Sequence, residues 1–81
     1  MDIQTIETIL RGIIARRLPD VSPESITAVG ELANLGVDSL AFSWIIADME
    51  DEFDIEIKGA DVLKLKTLAN TIAYVENRLS R

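Results

Sequence analysis

The sequence predicts an all-α fold: a small four-helix bundle of three longer helices and one short one. Three observations carry that expectation. Apolar residues recur at three- and four-residue intervals in three separate stretches. Pro19, Pro23, Gly36 and Gly59 fall between those stretches. The one alternating segment, Asp54-Ile55-Glu56-Ile57, has no second strand to pair with and reads as an extended loop. At 81 residues, below the roughly 150 that serve as a prior for one domain, residues 1–81 read as one domain without a linker.

The first helix is expected over Asp2 to Arg17. Ile3, Ile6, Ile9, Leu10, Ile13, Ile14 and Leu18 form one stripe, Asp2 can cap its start, and Pro19 ends it. Arg16 and Arg17 in the last turn suit the negative end of the helix dipole. A long connection follows from Pro19 to Asp38. Within it Ser22-Pro23-Glu24-Ser25 predicts one short helical turn, and Ile26, Val29, Leu32 and Leu35 are expected to pin the connection to the bundle. Gly36 suits a sharp turn that other residues avoid.

The second helix is expected from Ser39 to Glu52, with Leu40, Ile45, Ile46, Met49 and Phe53 facing inward. After the break at Gly59, Ala60 to Leu65 predicts a short third helix that brings Val62 and Leu63 to the core. Thr67 can cap the last helix, whose stripe is Leu68, Ile72, Val75 and Leu79.

Composition narrows the function. Hydrophobic residues at 48% and charged residues at 27% are an ordinary globular balance and argue against disorder. No stretch approaches the roughly 20 apolar residues of a membrane span, and Met1 to Leu10 lacks a basic-then-apolar leader, so a cytoplasmic location is expected. The absence of cysteine and histidine removes the disulfide framework, the thiol nucleophile, the commonest metal ligand and the usual general base. The chain is therefore expected to be no enzyme, to hold no metal and to act as a monomer. A net charge of −6 disfavours nucleic acid and anionic membranes and points to basic protein partners. Asp48, Glu50, Asp51, Glu52, Asp54 and Glu56 concentrate that charge. They read either as a solvated face or as a docking surface.

Leu35-Gly36-Val37-Asp38-Ser39-Leu40 sets a serine at the entrance of a helix after a glycine turn. The unpaired N–H groups and partial positive charge of a helix start would stabilise a phosphate ester there, by about 0.3–1 kcal/mol at an exposed site. Position alone also allows Asp38 or Ser39 to be a simple cap. A hydrolase nucleophile fits poorly: there is no histidine, and Lys58, Lys64 and Lys66 lie in a charged segment with nothing to make one of them a base. A calcium loop counted from Asp48 would need glycine at its sixth position and has Phe53.

Gly36-Val37-Asp38-Ser39-Leu40 resembles the attachment motif of the acyl carrier protein family. The likeness extends through Ser22-Pro23-Glu24-Ser25-Ile26, Leu32, Leu35, Glu50-Asp51-Glu52-Phe53 and Tyr74-Val75, over nearly the whole chain. The resemblance implies that Ser39 accepts 4′-phosphopantetheine from coenzyme A, which would make the modified chain a phosphoprotein whose cargo rides as a thioester. It implies that Asp38 fixes the helix start beside the transfer complex, with Gly36 and Leu40 framing the site. It further implies partners in a phosphopantetheinyl transferase and in acyl- or aminoacyl-handling enzymes, whose basic surfaces would meet Asp48, Glu50, Asp51 and Glu52.

The chain departs from the fatty-acid type just after the serine, where Ala41 and Trp44 stand in place of acids and Ser43 in place of a β-branched residue. Phe42 and Trp44 either form an apolar partner patch beside the arm or send one ring to the core. Three functions remain open at this point. One is a carrier for fatty-acid-like, polyketide or specialised lipid biosynthesis; another is a peptidyl or aminoacyl carrier loaded by an adenylating enzyme; the last is an unmodified acidic adaptor. Modification of Ser39 separates the first two from the third.

Overall fold

A computed structural model describes residues 1–80. Helix α1 (Ile3–Arg16) opens on the Asp2 carboxylate, which accepts the Thr5 N–H at 2.8 Å. Two 3-10 turns follow, Pro23–Ser25 and Leu32–Leu35, then α2 (Ser39–Phe53), the short α3 (Gly59–Val62) and α4 (Leu68–Leu79). The expected bundle of three longer helices and one short helix is the observed one. Caps explain the starts: Asp38 accepts the Ala41 N–H at 2.8 Å and Thr67 accepts the Asn70 N–H at 3.1 Å, each meeting a donor that the first turn leaves unpaired.

Helix α1 is the centre of the packing, touching α4, α2 and the Pro23–Ser25 turn. Its Ile6, Leu10, Ile13 and Ile14 are buried against Ala41, Ile45, Met49 and Phe53 of α2 and Leu68 and Val75 of α4. The α2 quartet recurs every fourth residue, one stripe of a 3.6-residue period. Each fully buried branched side chain contributes roughly 1.5–3 kcal/mol. Asp54 ends α2 in the left-handed region at φ 53°, a conformation that Asp tolerates better than most residues. Ile55 is then half-buried and Ile57 buried, while Asp54 and Glu56 stay exposed, so the alternating segment is an extended loop lying on the core.

Four expectations are corrected. Ile3, at the start of α1, is exposed, so the buried stripe begins at Ile6. Leu40 is 59% exposed, because Ala41 rather than Leu40 is in phase with Ile45 and Met49. Leu63 is exposed, since α3 ends at Val62 and the inward residue of that segment is Leu65. Val29 is exposed as well. Buried Ile26 and Leu32 do anchor the long connection, as expected, with Leu35 half-buried. The remaining hold is polar: the Arg11 guanidinium, paired with Glu7 at 2.8 Å, donates to the Pro23 and Ile26 carbonyls.

A second tie joins this connection to the start of α4. The Leu32 N–H donates to the Lys66 carbonyl and the Ala69 N–H to the Ala28 carbonyl, both at 2.9 Å, with Glu31 and Thr67 bridged antiparallel between them. Among the described residues no helix is long and apolar enough to cross a membrane.

Candidate functional site

Gly36 adopts φ 101°, a left-handed angle that lets the chain turn out of the Leu32–Leu35 coil into α2. Val37 is buried and anchors the far side of the turn. Asp38 is extended; its carboxylate takes the Ala41 N–H and its carbonyl takes the Phe42 N–H at 2.9 Å. Ser39 is therefore the first residue of α2, and it is exposed. Helix geometry gives the Ser39 and Leu40 N–H groups no intrahelical acceptor, so the surroundings of the hydroxyl favour an anion.

An open groove of about 720 Å³ runs beside this hydroxyl. Val37, Phe42 and Ile46 form one side, Val62, Leu63 and Leu65 the other, with Ser39, Ser43, Glu31 and Lys66 among its polar lining. An exposed hydroxyl at the positive end of a helix, next to an apolar channel, fits a flexible group tethered through a phosphodiester. The residues that would hold such a group are Ser39, by its oxygen, and the first-turn N–H groups, by their dipoles.

The acids expected on a partner surface divide into two pairs. Asp48 is largely covered and accepts from the Arg17 guanidinium at 3.0 and 3.2 Å, with Arg16 at 3.6 Å. Glu50 accepts the Ile57 N–H at 2.9 Å and so braces the loop after α2. Only Asp51 and Glu52 of the four are exposed. The two aromatics also separate. Phe42 turns into the groove, whereas Trp44, 46% exposed, lies under the Arg17 guanidinium at 5.2 Å. Two helical residues are about 200° apart, so Phe42 and Trp44 form no common patch. Ser43 is exposed, its hydroxyl donating to the Leu40 carbonyl at 2.7 Å.

Outside the groove, between α3 and α4, the Tyr74 phenol donates to Asp61 at 2.8 Å and accepts from Arg78 at 3.0 Å. The phenol and the Lys64 ammonium hold the Asp61 carboxyl below its ordinary range. Burial first, then the Asp61 partner, pushes the Tyr74 hydroxyl up.

The structure places Gly36, Asp38 and Ser39 at a helix entrance, where the sequence puts them, while the Arg17 contact to Trp44 and the groove wall formed by Val62, Leu63 and Leu65 were not expected. Arg17 had been legible only as a complement to the helix dipole. The apolar residues Val62, Leu63 and Leu65 at and just beyond the end of the short helix were the available signal for the wall.

The comparisons agree with this geometry. The family model described as phosphopantetheine attachment site matches residues 8–75. The chain is similar to an acyl carrier protein of Desulforapulum autotrophicum, 35% identical over 75 residues that cover 91% of this chain and 97% of that relative. It is also similar to an acyl carrier protein of an Exiguobacterium strain, 44% identical over 46 residues, 57% of this chain and 58% of that relative. The chain belongs to the acyl carrier protein family, which implies a covalently attached 4′-phosphopantetheine.

Proposed function

We propose that residues 1–81 work as a single carrier domain in which Ser39 bears the prosthetic arm and acyl intermediates travel on it during fatty-acid-like, polyketide or specialised lipid biosynthesis. The observation that carries this reading is the exposed Ser39 hydroxyl at the first residue of α2, opening onto an apolar groove. In the loading step the Ser39 oxygen bonds to the phosphorus of coenzyme A that bears the pantetheine, the pyrophosphate link breaks, adenosine 3′,5′-bisphosphate leaves, and the proton passes to the transferase. The arm then supplies the terminal thiol that this cysteine-free chain lacks, and holds cargo as a thioester.

The chain itself positions rather than catalyses: Gly36 and Asp38 set the helix entrance, and the groove offers apolar shelter. Asp51 and Glu52 face outward and suit the basic surfaces of loading and transferring enzymes, an attraction that weakens as salt rises. The apolar groove and the acyl carrier relatives favour acyl cargo over aminoacyl cargo. The carrier acts as a monomer in the cytoplasm.

Incubation with coenzyme A and a broad-specificity phosphopantetheinyl transferase, followed by intact-mass analysis, should add one arm to the wild type and none to Ser39→Ala. Equal labelling of both would remove Ser39 from the mechanism. The mass of protein isolated from its host reads the cargo directly.

A further inference from the structure

Trp44 is the only tryptophan of the chain and the largest side chain on its solvent-facing surface of α2. Leu40, Trp44, Ala47 and Asp51 are spaced by four, three and four residues, which puts them on one face of the helix, and all four are exposed. That face lies roughly opposite the Ala41-Ile45-Met49 stripe. It is apolar through its first two turns and acidic only beyond them, at Asp51 and Glu52.

An exposed indole is ordinarily free to change rotamer, but this one is held. The Arg17 guanidinium lies over the ring at 5.2 Å and is itself fixed by three hydrogen bonds to Asp48, at 3.0, 3.2 and 3.3 Å. The same ion pair neutralises the one acid that stands a turn away from the indole. A half-exposed aromatic held by a charged neighbour, with exposed Leu40 one turn before it, has the character of an interface hot spot, and holding it in place beforehand reduces what association must order.

We propose that Trp44, braced by Arg17, is the apolar anchor by which the enzyme that esterifies Ser39 grips this chain. The inference rests on the carrier reading. An enzyme that reaches Ser39 must cover its neighbourhood, and a standard interface of about 800 Å² per partner is a disc of about 16 Å radius. Trp44 lies five residues from Ser39, about 7.5 Å along the axis and about 140° around it, so the two residues flank the exposed face that carries Leu40 and Ala47, and a disc centred on that face takes in both. The complementary surface has an apolar recess for the indole and, about 10 Å farther along α2, basic groups for Asp51 and Glu52. A second copy of this chain, at a net charge of −6, matches that description poorly.

The test uses the apo protein, coenzyme A and a broad-specificity phosphopantetheinyl transferase, with arm transfer followed by intact mass and binding without coenzyme A followed by calorimetry. Trp44→Ala should raise KM about tenfold with kcat within about twofold, and weaken Kd in parallel. The loss should persist at about 0.5 M salt, where charge attraction is screened. Trp44→Phe should recover most of the affinity, and Arg17→Met should raise KM about threefold, because the indole remains but is no longer held.

If KM and Kd of folded Trp44→Ala stay within about twofold of a wild type that does accept the arm, the anchor is wrong while the carrier reading stands. A wild type that accepts no arm overturns both. A Trp44-dependent heat of dilution in the absence of transferase assigns the face to a second copy and overturns the proposal.

Discussion

The Tyr74 phenol reaches from α4 to donate to Asp61 Oδ2 at 2.8 Å, and so fastens α3 to the rest of the bundle. Helix α3 has only four residues, far below the length at which a helix sustains itself. It nevertheless leads into one wall of the groove beside Ser39, through Val62, Leu63 and Leu65. Arg78 supports the latch by donating to the phenol oxygen and lying over its ring at 5.8 Å.

Tyr74→Phe removes the donor and leaves the ring. Loss of this hydrogen bond should be seen as a fall in Tm, smaller than a buried bond would give because Asp61 is reached by solvent. Hydrogen exchange should quicken first at residues 59–65. Equal quickening in α1 would show that the latch is not local.

The same pair predicts a pH profile with two limbs. The Asp61 carboxyl is held low by the phenol and Lys64, so its contribution is complete above the ordinary carboxylate range and is lost as pH falls through the depressed value. The Tyr74 hydroxyl is pushed up by burial and by Asp61, so its contribution is complete below about pH 10 and is lost as pH rises through the higher value. The gap in Tm between wild type and Tyr74→Phe should be flat from about pH 5 to 9 and narrow at both ends. Melts across that range check it.

Arg17 and Asp48 form a bidentate-like pair between α1 and α2, partly screened from solvent. Partial exposure limits its value, so Asp48→Ala should cost about 1 kcal/mol in urea unfolding. A double-mutant cycle with Arg17→Met should give a coupling of about 0.5–1 kcal/mol that shrinks in high salt.

Gly36→Ala tests backbone strain alone, because a Cβ built at residue 36 meets nothing within 4 Å while φ stays at 101°. The expected cost is about 1–2 kcal/mol, the penalty of a left-handed angle for an L side chain. Chemical denaturation measures it, and Gly12→Ala, in open space inside α1, should be neutral or stabilising.

Much of this was readable from residue order. The caps Asp2, Asp38 and Thr67 and the stripes beginning at Ile6 and Leu68 are local patterns, and local patterns survive folding. Leu40 misled because side-chain size was weighed above helical phase: small Ala41 holds the core position that a leucine seemed to claim. Val29 misled because the segment around it is held by backbone groups, with Ala28 giving its carbonyl to Ala69, and no side-chain pattern reports such bonds. At the site, Ser39 and its turn were legible, whereas the engagement of Asp48 was not. Its partner lies 31 residues earlier, beyond the reach of any spacing rule.

The tie between residues 28–32 and 66–69 makes the site a property of the whole chain. The turn that precedes Ser39 leans on backbone groups at Lys66 and Ala69, contributed by the segment that opens α4. A fragment ending before residue 66 would keep the serine and its glycine turn in sequence, yet lack the backbone partners that brace them.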